Sequence, residues 1–282
     1  MIISERARQL RSLVSSPDIL CAPGVYDAFS AYRAEQAGFE AAFVSGSALA
    51  IAHLGRPDIG LLSITETADI VARIADRVTM PLFVDADQGF GNRFAVARTM
   101  RLLERAGASG IQIEDQVEVK PADAPLSRPL VSIETMLGKI AAAQDARVND
   151  AMMISARTDA MTTLGIEEAC RRAAAFAEAG ADMVFVESLS NRADMERVVA
   201  AVAGRAPILH NLLRVGEEVS DAATLQEMGY AVALFPSVPL AAVGQALDQA
   251  FASLLARPAT IPQPPDRIGA NAFIERAKHP GG

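Results

Sequence analysis

Three carboxylate residues stand at or just after the ends of two short apolar runs and could together hold a metal ion. Asp85 ends the run 81–85, Asp87 follows it, and Glu114 ends the run 110–114. Carboxylates gathered at one place repel each other unless a cation binds between them. Three His and two Cys are too few soft ligands for a convincing zinc site. The sequence therefore predicts an oxygen-ligated Mg²⁺ site, with Mn²⁺ as an alternative.

Polar residues at the ends of other apolar runs could bind a small anion. The backbone N–H groups of Ser45, Gly46 and Ser47 could hold a carboxylate or an oxyanion. The planar guanidinium of Arg157 suits a two-point grip on a carboxylate or a phosphonate. The other run ends carry Glu187, His210 and Asn211. The pattern predicts an enzyme that binds a small polyanionic acid and stabilises an enolate through the metal and backbone donors.

Composition argues against several other classes of protein. A net charge of -8 does not favour nucleic acid or an anionic membrane as the main partner, and no apolar segment is long enough to predict a membrane span. The three lysines are Lys120, Lys139 and Lys278, and only Lys120 lies near the predicted site, so Schiff-base and pyridoxal chemistry are not expected. Two cysteines allow one disulfide at most, and we expect a cytoplasmic protein.

The elements that must position these residues alternate regularly along the chain. Eight β-rich apolar runs, 19–22, 41–45, 81–85, 110–114, 152–156, 182–187, 207–210 and 232–235, alternate with amphipathic segments. Continuous apolar runs are typical of parallel strands buried on both faces. Four of the amphipathic segments end in a glycine, at Gly38, Gly107, Gly180 and Gly229, where a left-handed helix cap belongs.

This alternation predicts an α/β protein, a (β/α)₈ TIM barrel over residues 1–256, with its active site at the carboxyl ends of the strands. Residues 257–282 are expected to form a Pro-rich arm with a terminal helix over 270–277. The arm packs either on its own barrel or on a neighbouring subunit.

Several motifs together resemble the isocitrate lyase and phosphoenolpyruvate mutase superfamily, most closely its methylisocitrate lyase-like branch. They are YDAFSAYRAEQAGFEAAFVSGSALA, LGRPDIGLLSITE, PLFVDADQGFGN, GIQIEDQV, ISARTDA and GADMVFVE. The resemblance implies a barrel that binds Mg²⁺ and a 2-oxo acid, an enolate intermediate, and a dimer of dimers that exchanges its C-terminal helix. It implies that Asp85, Asp87 and Glu114 surround the metal, with Asp85 closest.

The same resemblance assigns further residues to the substrate. Ser45, Gly46 and Ser47 would hold the carboxylate of the 2-oxo acid, with Tyr26 beside them and Arg157 beneath. Asp58, in the LGRPDIG segment, would line the pocket, although an ordinary turn Asp is the simpler interpretation from sequence alone. The predicted catalytic set is Asp58, Lys120, Arg157 and Glu187, and the predicted substrate-binding set is Tyr26, Ser45, Gly46, Ser47, Arg157, His210 and Asn211.

One segment departs from the family pattern. Lyases of this superfamily carry a Cys-containing Lys-Lys/Arg-Cys-Gly-His motif after the fourth strand, whereas residues 116–132 read QVEVKPADAPLSRPLVS, which keeps Lys120 but has no Cys, Gly or His. Cys21 and Cys170 lie elsewhere and are expected to be small buried hydrophobes. Thiol-mediated proton delivery is therefore not expected.

Three functions remain open from the sequence. The first is a Mg²⁺-dependent C–C lyase or decarboxylase of an oxaloacetate-like or substituted malate-like acid, in which water or Lys120 supplies the proton. The second is a phosphonomutase or phosphonopyruvate hydrolase, in which Asp58, Lys120 and Arg157 handle the phosphoryl group. The third is a catalytically silent barrel that binds a small acid or a partner protein, although a cluster of carboxylates is costly to keep there without a metal.

Overall fold

A computed structural model describes residues 3–117, 128–213 and 217–259, and its strands form a closed parallel barrel in sequence order. The strands are β1 (Leu20–Val25), β2 (Ala42–Val44), β3 (Leu82–Asp85), β4 (Gly110–Glu114), β5 (Met153–Thr158), β6 (Met183–Val186), β7 (Ile208–Asn211) and β8 (Val232–Phe235). β1 pairs with β8 and closes the sheet. The predicted (β/α)₈ barrel is confirmed, and each strand overlaps its predicted apolar run.

Helices alternate with the strands. They are α1 (Ile3–Val14), α2 (Ala28–Gln36), α3 (Gly46–Leu49), α4 (Ile64–Arg77), α5 (Arg93–Ala106), α6 (Ile133–Ala146), α7 (Ala160–Leu164), α8 (Ile166–Glu178), α9 (Arg192–Val202), α10 (Ala222–Glu227) and α11 (Val238–Ala256), and a π-helical turn, Ala50–Leu54, follows α3. The four predicted cap glycines, Gly38, Gly107, Gly180 and Gly229, all have positive φ angles. The amphipathic segments expected from the sequence, 28–37, 64–78, 94–106, 133–147, 166–179, 193–203 and 224–228, overlap α2, α4, α5, α6, α8, α9 and α10.

Strand side chains alternate between two cores. The outer core lies between the sheet and the helices and includes Ile111, Ile154 and Val184. The inner core fills the barrel, with Phe43, Phe83, Met153, Phe185 and Leu209 among its members. Side chains along a strand alternate with a period of two. The residue two positions after each inner-core residue therefore also faces the barrel axis, at the carboxyl end of its strand.

Helix α1 contributes to the inner core from outside the sheet. Leu10 and Val14 are 1% and 2% exposed and pack with Leu20, Phe83 and other barrel residues. Their contact with the beginnings of strands places them at the amino end of the barrel. α1 therefore closes the end opposite the predicted active site.

The chain forms two compact units, Met1–Leu240 and Ala241–Gly282. Most of α11 belongs to the second unit, and α11 has no buried side chain. It is the one helix of the described residues that is long and apolar enough, by length and composition alone, to cross a membrane. The predicted terminal helix 270–277 lies outside the described residues. The predicted division of the chain at 256/257 stays a prediction.

Candidate active site

A cleft of about 300 Å³ that opens to solvent lies at the carboxyl ends of the strands. Its polar lining gathers many of the residues predicted from the sequence, namely Ser45, Ser47, Asp58, Asp85, Arg157, Glu187 and Asn211, together with Arg128 and Ser237. Its apolar lining consists of Phe43, Ala48, Ile51, Leu213, Pro236 and Leu240. The alternation of each strand explains this set, because Ser45, Asp85 and Asn211 lie two positions after the inner-core residues Phe43, Phe83 and Leu209.

The acidic side of the cleft is built on the loop after β3. Asp58, Asp85 and Asp87 line one pocket there together with Gly46. The Asp85 carboxylate accepts hydrogen bonds from the backbone N–H groups of Asp87, at 3.1 Å, and Gly46, at 3.4 Å. A Cβ atom at position 46 would lie 3.0 Å from Asp85 Oδ2. A glycine at this position therefore gives the carboxylate the space that a side chain would take.

The donors on this side fit Mg²⁺. Within the described parts of the chain, no three His, Cys, Asp or Glu side chains form a ready-made metal cluster. Mg²⁺ does not need one, because it commonly binds through one or two carboxylates while water and substrate fill its other positions. Asp85 and Asp87 offer such oxygen ligands. Glu114, the third predicted ligand, lies with its carboxylate 3.3 Å from Arg157 Nε, so the predicted three-carboxylate set stays a prediction.

The opposite side of the cleft is an ionic cluster around Arg157. Its Nε and Nη2 atoms donate to the two carboxylate oxygens of Asp159, at 3.1 and 2.9 Å. Glu187 lies 3.6 Å from Arg157 Nη2 and accepts a hydrogen bond from the Asn211 amide at 3.3 Å. Arg128 forms an ion pair with Asp159 and lies 3.9 Å from Glu187. The guanidinium groups of Arg157 and Arg128 thus both line the cleft, and both are paired with Asp159.

Electrostatics fix the charge state of this cluster. Burial alone would lower the pKa of Arg157, but the charges of Asp159, Glu187 and Glu114 raise it well above its ordinary value. Burial likewise opposes ionisation of Asp159, yet Arg157 and Arg128 hold its pKa below the ordinary value. Arg157 is therefore a permanent cation held in one orientation, as recognition of an anionic substrate requires.

A second buried ion pair supports the cluster from behind. Asp115 is fully buried and accepts hydrogen bonds from Arg172 Nη1 at 2.8 Å and from the backbone N–H of Asp159 at 3.0 Å. Thr158 Oγ1 also donates to Asp115, at 2.7 Å. Burial raises the pKa of the Asp115 carboxyl, although these donors oppose the rise. Through these hydrogen bonds Asp115 holds the backbone at the end of β5, the segment that carries Arg157 and Asp159.

Three of the described predicted site residues, Tyr26, His210 and Glu114, line neither the cleft nor the adjoining pocket. Tyr26 is 6% exposed and belongs to the core between sheet and helices. His210 lies between Leu209 and Asn211, which face the barrel axis, and its ring packs edge-on against Tyr230. Burial lowers the pKa of His210 to about 4, so this imidazole is neutral at pH 7. Lys120, the remaining predicted catalytic residue, lies outside the described residues.

Asp159 and Arg128 were missing from the predicted site. Asp159 follows Arg157 by two residues in the ISARTDA motif, a spacing that lets one carboxylate reach back to the guanidinium. That spacing was a usable signal in the sequence. Arg128 offered no such signal, because its pairing with Asp159 joins residues 31 positions apart.

The comparisons with known proteins agree with this architecture. The family model described as phosphoenolpyruvate phosphomutase matches residues 10–255. The chain is 39% identical over 249 residues to 2,3-dimethylmalate lyase of Eubacterium barkeri, covering 88% of this chain and 86% of that protein. It is 42% identical over 228 residues to 2-methylisocitrate lyase of Aeropyrum pernix, covering 80% and 72%. It is 37% identical over 242 residues to oxaloacetate decarboxylase of Rhodopseudomonas palustris, covering 86% and 82%.

Solved structures give the same result. Oxaloacetate acetylhydrolase in complex with the inhibitor 3,3-difluorooxalacetate superposes with a TM-score of 0.88 at 29% identity, covering 96% of this chain and 93% of that chain. Phosphonopyruvate hydrolase in complex with oxalate and Mg²⁺ superposes with a TM-score of 0.82 at 29% identity, covering 97% and 95%. The family model, the relatives and the folds converge, and the chain belongs to the phosphoenolpyruvate mutase and isocitrate lyase superfamily.

Proposed function

We propose that the protein is a Mg²⁺-dependent carbon–carbon lyase or decarboxylase of a small 2-oxo or 2-hydroxy dicarboxylic acid. The observation that carries this proposal is the division of one cleft into a carboxylate side, Asp58 and Asp85, and a guanidinium side, Arg157 and Arg128. Asp87 lines the adjoining pocket, which shares Asp58 and Asp85 with the cleft. An anion with two charged groups matches both sides, one through a bridging cation and one directly. Relatives named as lyases and a decarboxylase support the same class of reaction.

Several residues of the cleft have separate roles in this proposal. Arg157 binds a substrate carboxylate, and the backbone N–H group of Ser47 at the start of α3 holds the oxygen that becomes negatively charged. Asn211 Oδ1 is buried and has no hydrogen-bond partner among the described residues. It could therefore accept a hydrogen bond from a substrate hydroxyl group. Mg²⁺ bound at Asp85 and Asp87 would supply stabilisation of the negative charge that develops on the substrate oxygen.

Proton transfer is assigned to oxygen and amine groups. Neither Cys21 nor Cys170, both free thiols, lines the cleft. Asp58 and Glu187 line it, and Lys120 lies in segment 118–127, outside the described residues. In cleavage of a 2-hydroxy acid, a base takes the hydroxyl proton, the C2–C3 bond breaks, and its electron pair remains on C3. An acid then protonates C3. We assign the base to Asp58 or Glu187, and the acid to Lys120 or water.

One observation favours C–C over P–C chemistry. Ile51, Leu213, Pro236 and Leu240 give the cleft an apolar wall, which suits an alkyl-substituted or short carbon chain better than a phosphonate. A phosphonomutase or phosphonopyruvate hydrolase stays the alternative, because solved members with those names share the fold at 28% and 29% identity.

The test is product identification. The purified protein with Mg²⁺ is incubated separately with oxaloacetate, 2-methylisocitrate, 2,3-dimethylmalate and phosphonopyruvate. Pyruvate is measured in each reaction, and the second product decides the chemistry. We expect carbon dioxide or a second carboxylic acid from one of the first three. Turnover of phosphonopyruvate alone, to pyruvate and inorganic phosphate by hydrolysis or to phosphoenolpyruvate by isomerisation, would support the alternative. No turnover and no thermal shift with Mg²⁺ would indicate a silent barrel.

We also propose the protein's assembly and location. We propose a homo-oligomer, a dimer of dimers in which residues 257–282 with their helix are exchanged. Exposed apolar side chains along α11, such as Leu247 and Phe251, support an assembly that covers them. Two free cysteines and an acidic composition support a cytoplasmic location. Sedimentation of the full-length protein and of a chain ending at residue 256 tests the role of the arm.

A further inference from the structure

One buried lysine contacts the loop that carries the acidic side of the cleft. Lys139 of α6 is 2% exposed, and its Nζ donates to the backbone carbonyl of Gln88 at 2.8 Å. Lysine is almost never fully buried without partners, because removing an ammonium group from water is costly. Lys139 is not in the cleft lining and is not used by the proposed reaction. Its burial at this point of the barrel therefore has another reason.

The loop itself has an unusual backbone. Asp87 and Phe90 have φ angles of 47° and 58°, in the left-handed region, and Gly89 and Gly91 have φ angles of 85° and 140°. Left-handed residues other than glycine are uncommon and persist where the surroundings hold them. Asp85 and Asp87 present their carboxylates from this loop. The direction of both carboxylates consequently depends on what holds the loop.

Three successive carbonyl groups of the loop accept hydrogen bonds from three different elements. The Asp87 carbonyl accepts from the Glu114 backbone N–H at 2.9 Å. The Gly89 carbonyl accepts from Thr99 Oγ1 at 3.1 Å. The Gln88 carbonyl between them accepts from Lys139. Of these three donors only Lys139 reaches the loop with a long side chain, which extends from α6 through the buried interior.

We propose that Lys139 is a positioning residue for the metal site: it holds segment 85–91 in the conformation that presents Asp85 and Asp87 to Mg²⁺. It acts through the Gln88 carbonyl and touches neither metal nor substrate. This inference rests on the proposed function, because it takes Asp85 and Asp87 as the metal-binding side of the cleft.

Replacing Lys139 by Met is expected to change the affinity for Mg²⁺ in two ways that have opposite signs. Loss of the hydrogen bond lets the loop leave its conformation, and this weakens Mg²⁺ binding. Loss of a nearby positive charge removes repulsion and by itself strengthens Mg²⁺ binding. Positioning therefore predicts a higher Kd for Mg²⁺, and a purely electrostatic or structural role predicts a lower or unchanged one. Isothermal titration with Mg²⁺ alone, without any organic acid, measures this Kd.

The matched control is Gln144→Met on the same helix. Gln144 Nε2 also donates to backbone carbonyls, those of Ala179 and Gly180, at 3.1 and 2.8 Å, but in the loop before β6 at the amino end of the barrel. We expect Lys139→Met to raise the Kd for Mg²⁺ about tenfold, which corresponds to about 1.4 kcal/mol. We expect Gln144→Met to leave the Kd unchanged, and Lys139→Arg, which keeps a charged donor, to stay near the wild-type value.

The outcomes separate this inference from the proposed function. If Asp85→Ala leaves Mg²⁺ binding intact, the metal site itself is wrong. If Asp85→Ala abolishes binding while Lys139→Met binds as tightly as wild type or more tightly, only the positioning role is overturned. Should Lys139→Met not fold, as judged by circular dichroism, Lys139→Gln and Thr99→Val carry the same test. A rise of Kd in these variants supports positioning, and an unchanged Kd in both overturns it.

Discussion

At the scale of single residues, the site depends on the orientation of Arg157 as much as on its charge. Two hydrogen bonds to Asp159 hold its planar group. Arg157→Lys keeps the charge and loses this two-point geometry. We expect kcat/KM to fall about 100-fold, equivalent to about 2.7 kcal/mol at 1.36 kcal/mol per factor of ten. Steady-state kinetics on the substrate identified above measures this loss.

A matched arginine controls for loss of stability. Arg147 donates to Asp182 at 3.0 Å and to the Met152 carbonyl at 3.1 Å, at the amino end of β5. Arg147→Lys is expected to keep wild-type kcat/KM. Arg157→Lys activity within threefold of wild type would show that the fork geometry is unnecessary.

Gly46 gives a second residue-scale prediction. A Cβ atom there would crowd Asp85 Oδ2, whereas nothing lies within 4 Å of a Cβ at Gly138 in α6. We expect Gly46→Ala to weaken Mg²⁺ binding about tenfold, and Gly138→Ala to stabilise the fold by about 0.5 to 1 kcal/mol. Titration with Mg²⁺ and urea unfolding measure the two effects. Equal Kd values for both variants would contradict the account of Gly46.

The sequence predicted many of these residues but not their orientation. Asp58, Asp85, Arg157 and Glu187 were predicted and line the cleft. His210 was predicted as a strand-end residue, yet the period of two along β7 turns it toward the helices and turns Asn211 inward. Counting the alternation of side chains from Leu209 would have predicted that Asn211 faces the barrel axis and that His210 does not. Residues joined only by tertiary packing, such as Arg128 with Asp159, cannot be paired from sequence spacing.

At the scale of elements, α1 is a part of the barrel that periodicity did not reveal. Leu10 and Val14 pack inside the barrel with strand residues such as Phe83. We expect Leu10→Ala to lower the free energy of unfolding by about 2 to 5 kcal/mol, as for other buried leucines. Urea unfolding measures this change. Val148, which is 83% exposed, supplies the control, since Val148→Ala is expected to stay within about 0.5 kcal/mol of wild type.

A small effect of Leu10→Ala would show that α1 does not close the barrel in solution. Strands were predictable because burial on both faces requires a continuous apolar run in the sequence. Cap glycines were predictable because a left-handed backbone at a helix end favours glycine. The site of α1 was not, because an amphipathic helix does not specify which surface it covers.

At the scale of the whole molecule, His210 makes stability depend on pH. Its pKa of about 4 lies below the ordinary value of 6.5, so the unfolded chain binds the proton more readily. Stability from this group is complete above pH 6.5 and is lost as the pH falls toward 4. We expect the wild-type protein to lose about 1 to 2 kcal/mol more than His210→Gln between pH 7.5 and pH 5. Urea unfolding at the two pH values measures the difference. Parallel losses would contradict a neutral, buried imidazole.

Part of the negative net charge of the chain is concentrated at the proposed active site. The net charge of -8 includes Asp58, Asp85, Glu114 and Glu187, which the barrel gathers at one end. The guanidinium groups of Arg157 and Arg128 balance charge on one side of that cluster, and we propose that Mg²⁺ balances it on the other.

The most direct test of this assignment is the metal dependence of bond cleavage. The protein is stripped with a chelator, and proton NMR follows pyruvate and its second product from the acids named above, before and after Mg²⁺ is restored. We predict C–C cleavage only with Mg²⁺, its loss in Asp85→Ala, and wild-type turnover in Asp76→Ala, which changes an exposed aspartate. C–C cleavage by the stripped protein, or by Asp85→Ala at the wild-type rate, would contradict the account.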